Sequence, residues 1–445
     1  MAAINGYLVR ATVVAALGGL LFGFDTAVIA GATHALSVRY ELSPTMLGLT
    51  VSIALWGTVI GSMFAGIPGE KWGRKAILQV LAVLYLISAL GCAFAWGWTP
   101  LVIFRLIGGL GIGGSSVLGP MYIAEIAPAR ARGRLVGFFQ FNVVLGILVA
   151  YLSNYLIGLA GLGDQEWRWK LGVAAIPALF FLIMLIPIPQ SPRWLVKMGR
   201  LDEARRVLEL TGEPNADEEA RQILVTVSHE KGQPSEALFQ RAYLFPIFLA
   251  VSIGMFNQLS GINAILYYLN DIFAKAGFDK TSSDVQAVAV GATNLLFTII
   301  AMSVIDRLGR KKLLLTGAIG TAACLGGVAY VFASKSHERM LLPLLIGYIA
   351  FFGFSQGAVI WVYLSEVFPN RVRAKGQSLG SFTHWIMNAG ISYAFPIVAV
   401  YGAAPFMFFA AMMVLQFFVV LFVYPETKGI TLEEMQDKLG VTAVH

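Results

Sequence analysis

Residues 256–268 read FNQLSGINAILYY and lie inside an apolar run of about thirty residues. A run of that length can cross a lipid bilayer as a helix. The same stretch carries the amides Asn257, Gln258 and Asn263 and ends on two tyrosines, and these side chains both donate and accept hydrogen bonds. The stretch therefore predicts a membrane-spanning helix with a polar wall that can bind the hydroxyl groups of a sugar.

Gly261 stands in the middle of this stretch. Glycine lets a helix open locally, and an opened helix is tolerated inside a membrane only where it lines a cavity. The alternative interpretation is that the amides only join neighbouring helices, through hydrogen bonds of about 0.6–2 kcal/mol each. Polarity alone does not decide between a binding site and a helix contact.

The composition indicates the class of protein. The 445 residues are 57% hydrophobic and only 13% charged, which is about half the charge of an ordinary soluble domain. We therefore predict an all-α polytopic membrane protein. The net charge of +7 comes from basic residues in short loops, a pattern that orients membrane spans and does not indicate nucleic-acid binding.

The cysteines and the N-terminus add little chemistry. Cys92 and Cys324 lie in separate apolar runs without metal-ligand spacing, so we expect packing residues, no metal site and no cofactor. The first apolar run extends past the length of a signal peptide and contains Asp25. We therefore expect no cleavable signal peptide.

Hydrophobic windows predict twelve transmembrane helices in two six-helix halves. The predicted spans cover about residues 8–31, 46–68, 77–97, 101–125, 134–157 and 170–188, and then about 242–270, 284–305, 312–333, 341–365, 376–399 and 403–424. The predicted domains are an N-terminal six-helix bundle (1–190), a cytoplasmic helical linker (191–240), a C-terminal six-helix bundle (241–430) and a short cytoplasmic tail (431–445). Within the linker, helical patterns are expected at Leu201–Leu210 and Asp217–Val227.

The positions of arginine and lysine predict the orientation in the membrane. The loops after spans 2, 4, 8 and 10 hold the densest basic groups: Lys71, Arg74, Lys75, Arg130, Arg132, Arg134, Arg307, Arg310, Lys311, Lys312, Arg371, Arg373 and Lys375. Cytoplasmic loops are enriched in these residues, so we expect these loops and both termini in the cytoplasm.

An internal repeat supports the division into halves. EKWGRK at 70–75 recurs as DRLGRK at 306–311, and PQS at 189–191 recurs as PET at 425–427, both with an offset of 236. Glu125 and Arg132 recur as Glu366 and Arg373 with an offset of 241. Repeated halves are typical of transporters that rock one bundle against the other around a central site.

These motifs together resemble those of the sugar porter family within the major facilitator superfamily. The family's stretch usually reads QQLSGIN before two tyrosines, and here Asn257 replaces the first amide. The resemblance extends to the loops at 70–75 and 306–311, which are similar to DRxGRR, and to PMYIAE (120–125), PQSPR (189–193) and PETKG (425–429), with Gln190 in place of the usual Glu. It implies a major facilitator fold, alternating access, a monosaccharide as substrate and a functional monomer.

Asp25 and Arg105 are opposite charges inside spans 1 and 4. A charge within a membrane is costly unless it is paired or hydrated, and the glycines of span 4 let helices approach closely. The pair is either a static ion pair or a proton switch, in which Asp25 binds a proton when Arg105 moves away. Proton-coupled members of the family have an acid and an arginine here, so the resemblance implies proton:sugar symport, with a facilitative uniporter as the alternative.

The resemblance also implies a set of substrate-binding residues. Their side chains are amides, a tyrosine and tryptophan rings, with one glycine: Gln140, Asn257, Gln258, Asn263, Tyr267, Asn294, Gly357, Trp361, Trp385 and Asn388. His384 stands where relatives usually have Gln or Asn, and it is a packed hydrogen-bonded residue, a sugar ligand or a titrating switch. Asn257 and His384 are the positions expected to shift specificity between hexoses and pentoses.

Charged residues at the predicted cytoplasmic ends of spans are expected to form salt bridges between the halves and so to gate the cytoplasmic side. They are Glu70, Arg74, Glu125, Arg132, Asp306, Arg310, Glu366 and Arg373. The alternative is that they only anchor the protein at the membrane surface. The linker helices are expected to cover these loops.

Other classes of protein are disfavoured by the sequence. We find no nucleophile, metal cluster or pair of catalytic carboxylates, so an enzyme is not expected. A transporter-like sugar sensor would be expected to carry a long signalling tail, whereas only about fifteen residues follow Gly429. The short loops fit a bacterial inner (cell) membrane.

Overall fold

The computed structural model describes residues 5–128, 131–232, 236–369, 371–429, 435 and 439. Arg130 and nearly all of the predicted tail at 431–445 lie outside these residues. The first helices are α1 Gly6–Val28, α2 Thr33–Arg39, α3 Pro44–Phe64, α4 Gly66–Trp72, α5 Arg74–Ala93, α6 Trp98–Ile126, α7 Arg132–Leu159, α8 Glu166–Gly172, α9 Ala175–Met184, α10 Pro192–Lys197, α11 Leu201–Leu210 and α12 Ala216–Gly232. They continue as α13 Leu244–Leu259, α14 Ile262–Tyr267, α15 Leu269–Lys275, α16 Lys280–Leu308, α17 Arg310–Ser334, α18 Leu341–Phe354, α19 Gln356–Glu366, α20 Arg373–Val398 and α21 Ala404–Phe422.

Eleven helical segments of the described chain are long and apolar enough to cross a membrane. The remaining predicted span corresponds to α20, which is long enough but contains Arg373, Lys375, His384 and Asn388 and is therefore less apolar. The boundaries differ most for the sixth span, which covers Gly163–Met184 rather than 170–188. The predicted all-helical membrane fold is confirmed.

The helices form two compact units. The first contains Met1–Ile29, Ile53–Ser153 and Gly161–Pro234, and the second contains Ala30–Ser52, Asn154–Ala160 and Ser235–His445. The linker therefore packs with the first unit. The segment Ala30–Ser52, which follows the first span, packs with the second.

Glycines allow the spans of the first unit to pack at backbone distance. A Cβ atom on Gly23 of α1 would lie 1.8 Å from the carbonyl oxygen of Val143 on α7. A Cβ atom on Gly109 of α6 would lie 1.9 Å from the carbonyl oxygen of Ala54 on α3. Any side chain at these positions would separate the helices, because real Cβ atoms do not approach so closely.

Two spans of the second unit are broken in the middle. Gly261 has φ of +80° between α13 and α14, which confirms the predicted local opening of this helix. Ser355 separates α18 from α19 with φ of −122° and ψ of −90°. The Tyr348 hydroxyl donates to the carbonyl oxygen of Ser260 at 2.9 Å, which satisfies a backbone group at the first break.

The linker helices lie where the periodicity predicts them. Helix α11 has the predicted bounds, and α12 extends beyond the predicted Asp217–Val227. Helix α10 begins after Ser191, whose hydroxyl accepts a hydrogen bond from the backbone N–H of Trp194 at 3.2 Å. The Trp194 indole donates to the carbonyl oxygen of Glu70 at 3.0 Å, which attaches the linker to α4.

Candidate functional site

The amides of the broken α13–α14 span form a connected cluster with His384 of α20. Gln258 Nε2 donates to Asn257 Oδ1 at 3.1 Å and lies 3.3 Å from both ring nitrogens of His384. Asn263 Nδ2 donates to Gln258 Oε1 at 3.0 Å. Gln258 contacts each of the other three residues and is 1% exposed, so it is the buried centre of this cluster.

The contact with Gln258 determines what His384 can do. The amide nitrogen of Gln258 can only donate hydrogen bonds. Whichever imidazole nitrogen of His384 forms the bond, Nδ1 or Nε2, must therefore accept it and carries no hydrogen. The ring of His384 lies 5.1 Å from that of Trp361 and 4.9 Å from that of Trp385, edge-on to the latter. The structure thus shows His384 as a packed, hydrogen-bonded residue at the centre of the predicted site.

Asn388 lies one turn beyond His384 on α20 and is 1% exposed. Its Oδ1 accepts a hydrogen bond from the Ser392 hydroxyl at 3.1 Å, while its Nδ2 has no hydrogen-bond partner among the described residues. A buried amide nitrogen without a partner costs about 1–3 kcal/mol. It is therefore suited to donate to a hydroxyl group or a water molecule.

Gln356 is a polar residue that the sequence analysis missed. It begins α19 directly after the break at Ser355 and is 1% exposed. Its carbonyl oxygen accepts from Asn257 Nδ2 at 3.4 Å, and its Oε1 has no partner among the described residues. A glutamine after a serine in an apolar span is the signal that indicates this position.

The remaining predicted binding residues occupy separate places. Tyr267 is buried at the end of α14, and Asn294 is buried on α16, where its Oδ1 lies 3.4 Å from a Cβ atom added to Gly353. Gly357 lies in the first turn of α19, near Phe352. Gln140 is half-buried on α7 of the first unit. Asn257, Gln258, Asn263, Trp361, His384 and Trp385 are the residues that the described contacts bring together.

Asp25 and Arg105 face each other inside the first unit. Asp25 Oδ2 lies 3.9 Å from Arg105 Nη2, and the arginine side chain is 3% exposed. That separation is too long for a hydrogen bond. A cavity of about 20 Å³ adjoins both residues together with Tyr85 and Ser88, which is enough for one water molecule.

The repeated charged motifs form two equivalent clusters. In the first unit, Arg74 Nη2 binds Glu125 Oε1 at 3.0 Å, and Arg74 Nη1 donates to the carbonyl oxygen of Gly69. In the second, Arg310 Nη2 binds Glu366 Oε1 at 2.7 Å, and Arg310 Nη1 donates to the carbonyl oxygen of Ile305. Each arginine therefore binds a backbone carbonyl oxygen near the end of the preceding helix and a carboxylate of its own bundle.

The ion pairs that the structure shows for these residues form within each unit, and the predicted pairing between the halves stays a prediction. The observed partners are Arg74 with Glu125, Glu70 with Lys197, and Arg310 with Glu366 and Asp306, and every pair lies within one unit. Arg373 Nε donates to the carbonyl oxygen of Phe368, and Arg132 lines a cavity beside Glu125. The reason is geometric, because each glycine turn folds its arginine back onto the same bundle.

Among the residues that the structure describes, no group of three or more histidine, cysteine or acidic side chains is placed to hold a metal ion.

Comparisons with known proteins place this geometry in a family. Residues 11–439 match the family model described as Sugar (and other) transporter. The chain is 34% identical over 471 residues to the D-xylose-proton symporter of Escherichia coli strain K12, covering 97% of this chain and 96% of that protein. It is 36% identical over 440 residues to the arabinose-proton symporter of Bacillus subtilis strain 168, covering 97% and 95%.

A solved structure gives the same result in three dimensions. The partially occluded inward open conformation of the xylose transporter XylE from E. coli matches with a TM-score of 0.86 at 33% identity, covering 96% of this chain and 100% of that chain. The chain belongs to the sugar transporter family.

Proposed function

We propose that this protein is a secondary active transporter that moves a monosaccharide, a hexose or a pentose, together with a proton by alternating access. The observation that carries the proposal is the Asp25–Arg105 pair beside a cavity the size of one water molecule. The Asp25 carboxyl can exchange a proton with a water molecule in that cavity, while the permanently charged Arg105 stabilises its ionised form. The names of the xylose and arabinose relatives support the same coupling.

The coupling follows from the cost of a buried charge. An unpaired arginine inside a membrane is unfavourable by several kcal/mol, so protonation of Asp25 destabilises the present position of Arg105. Loss of the proton restores the pair. Binding of a proton is thereby linked to a rearrangement of α1 against α6.

The sugar site is the amide cluster at the helix breaks of the second unit. Broken helices supply binding groups near the middle of a membrane in many transporters. Asn388 Nδ2 and Gln356 Oε1 provide a donor and an acceptor without described partners, and Trp361 presents a half-buried ring to the apolar face of a sugar. Gln258 would exchange its contact with His384 for a hydroxyl group.

The charge distribution supports an orientation with the basic loops and both termini in the cytoplasm of a cell membrane. In that orientation the Arg74–Glu125 and Arg310–Glu366 clusters lie on the cytoplasmic side. These ion pairs break and form again during the transport cycle and so control access from the cytoplasm. The protein acts as a monomer and catalyses no covalent reaction. Its partners are the sugar, the proton and the lipid bilayer, without nucleic acid.

The decisive experiment measures proton movement with sugar movement. Purified protein in vesicles is given D-xylose, L-arabinose or D-glucose while the external pH is recorded in a weakly buffered medium. Alkalinisation that depends on the sugar, together with uptake against a sugar gradient, is the expected result. Sugar uptake without alkalinisation would identify a uniporter, and no response to any monosaccharide would overturn the proposal.

A further inference from the structure

The carboxyl group of Asp25 has few neighbours that can form hydrogen bonds with it. Among the residues that the structure describes, none donates a hydrogen bond to this carboxyl, and its ionic neighbour is Arg105 Nη2 at 3.9 Å. An ionised carboxylate inside a membrane is costly unless it is hydrogen-bonded or hydrated. The ionised form of Asp25 therefore depends on water.

The cavity of about 20 Å³ beside Asp25 and Arg105 has room for one water molecule, and its lining determines how that water can bond. A water between the two groups accepts a hydrogen bond from the guanidinium and donates one hydrogen to the carboxylate. Its second hydrogen needs another acceptor, because Arg105 has only donors. Among the lining side chains that the structure describes, Tyr85 and Ser88 carry hydroxyl oxygens, and the Cys92 sulfur is a weak acceptor.

The Tyr85 hydroxyl is oriented so that its oxygen can accept a hydrogen bond. Tyr85 Oη lies 2.9 Å from Ser115 Oγ, and Ser115 Oγ donates to the carbonyl oxygen of Ile112 at 3.1 Å. Each hydroxyl has a single hydrogen, so Tyr85 donates to Ser115 while Ser115 donates to Ile112. The other acceptor near Tyr85, the carbonyl oxygen of Gly18, lies 3.5 Å away, which is long for such a bond.

Packing between α5 and α6 fixes these hydroxyl groups. Tyr85 and Ser88 lie one turn apart on α5 and are 5% and 6% exposed. Ser88 Oγ lies 2.4 Å from the position of a Cβ atom on Gly108, which follows Arg105 by one turn of α6. Because a larger residue than glycine would displace Ser88, the close approach of the two helices keeps the hydroxyl groups beside the charged pair.

Few other titratable groups are close to this water. Cys92 shares the lining, and the wall after α8 presents the apolar side chains of Leu171 and Ala174. Lys170, next to Leu171, pairs with Glu166 at 2.7 Å. The titratable and charged residues of the described lining are Asp25, Tyr85, Cys92 and Arg105.

We propose that Tyr85 is a positioning residue of proton coupling, whose hydroxyl oxygen holds the water through which Asp25 gains and loses its proton. The inference rests on the proposed function for its role in transport. A proton that reaches this water is passed to the carboxylate, which leaves neutral water and a neutral acid. The water then accepts a hydrogen bond from Asp25 and keeps its bond to Tyr85, which itself neither gains nor loses a proton.

Tyr85→Phe should separate two transport rates in vesicles. Without its acceptor the water is held less firmly, so proton-driven sugar uptake should fall about tenfold, as expected for one unsatisfied buried hydrogen-bonding group. Exchange of labelled sugar at equal concentrations on both sides should be unchanged, because the carrier never has to release its proton. Equal loss of both rates would indicate general structural damage and overturn the proposal, as would no change in either rate.

Tyr122→Phe is the matched control. It also removes a buried tyrosine hydroxyl of the first unit, but that hydroxyl donates to the carbonyl oxygen of Pro189 at 2.8 Å, and Tyr122 does not line the cavity. Both transport rates should be kept in this variant. A selective loss of proton-driven uptake in Tyr122→Phe would contradict a specific role of Tyr85.

Infrared pH-difference spectra of the purified protein test the water without any transport. The band of the protonated Asp25 carboxyl is identified by its loss in Asp25→Asn. Tyr85→Phe should shift this band to higher wavenumber, since a hydrogen bond to a carboxyl group lowers its carbonyl stretching frequency, and Tyr122→Phe should leave it in place. An unshifted band in Tyr85→Phe, or no Asp25 band in the wild type, overturns the proposal.

Ser115→Ala gives a second route if Tyr85→Phe does not fold. It releases the hydrogen of Tyr85 from Ser115, so that Tyr85 can donate to the water, and the Asp25 band should move. An unmoved band contradicts the proposal. Failure of sugar-dependent alkalinisation in the wild type would reject symport, while the infrared spectra would still decide whether Tyr85 holds the water beside Asp25.

Discussion

Gln190 and Glu426 occupy equivalent positions of the internal repeat. Gln190 caps the N-terminus of α5 with a neutral amide, whereas Glu426 caps the N-terminus of α17 with a carboxylate. Gln190 Oε1 accepts hydrogen bonds from the backbone N–H groups of Lys75 and Ser191, both at 3.1 Å. Glu426 accepts four such bonds at 2.9–3.1 Å, from Arg310, Lys311, Thr427 and Lys428. The glycine turns beside them match, with φ of +94° at Gly73 and +89° at Gly309.

Gln190→Glu should stabilise the first unit. A carboxylate forms stronger hydrogen bonds than an amide to the same N–H groups and interacts favourably with the N-terminus of α5, so we expect a gain of about 0.5–1 kcal/mol. Thermal unfolding in detergent measures the gain. If the cluster also opens during transport, the turnover rate should fall in the same variant. Lower stability in Gln190→Glu would contradict the equivalence of the two sites.

Glu426→Gln tests the equivalent site through its pH dependence. Burial opposes ionisation of Glu426, but the backbone N–H groups of Lys428, Arg310, Lys311 and Thr427 hold the pKa of its carboxyl below 4.5. A depressed pKa adds stability that is present above the unfolded value and is lost as the pH falls through the folded value. Melting temperatures of the wild type should therefore drop below about pH 4.5, and Glu426→Gln should lack this component of the drop.

Gly261→Ala should destabilise the second unit by more than about 1 kcal/mol, because a residue with a Cβ atom is unfavourable at φ of +80°. The new Cβ atom would also lie 2.4 Å from the ring of Phe409. Gly390→Ala on α20 is the matched control, since nothing lies within 4 Å of its Cβ position. Thermal unfolding compares them, and a neutral Gly261→Ala would show that the break does not need glycine.

Adding Phe409→Ala to Gly261→Ala separates the two causes. The double variant removes the steric contact and keeps the backbone strain. It should therefore be less stable than Phe409→Ala alone, but by a smaller difference than that between Gly261→Ala and the wild type. Complete recovery would assign the whole effect to the contact with the ring.

Gln258→Ala should weaken sugar binding by about tenfold or more, because it removes an amide that offers two hydrogen bonds and leaves Asn263 and His384 without their partner. Isothermal titration with the transported sugar measures the affinity. His384→Gln should bind within a few fold of the wild type, since a glutamine oxygen can also accept from Gln258. Equal losses in both variants would show that the imidazole itself contacts the sugar.

The broken helix and the linker show how far sequence patterns reach. Gly261 predicts the opening between α13 and α14 because glycine lets a helix open locally at a positive φ. Leu201–Leu210 is predicted with its observed bounds because a helix on a solvated surface has a clear apolar face. The break at Ser355 and the role of Gln356 were missed, because a serine followed by a glutamine is also compatible with an unbroken span.

The sequence alone determined the class and the topology. Apolar runs predict helices, because backbone groups in lipid must form their hydrogen bonds within the segment. Together with the basic loops and the repeat at an offset of 236, they indicate a helical transporter with two halves. The partners of the charged and polar side chains were decided only by the tertiary structure. Arg74 binds Glu125 of its own bundle, and Gln258 contacts His384. Those pairings depend on distances of 3–4 Å between segments far apart in the chain, and residue spacing along one helix carries no information about them.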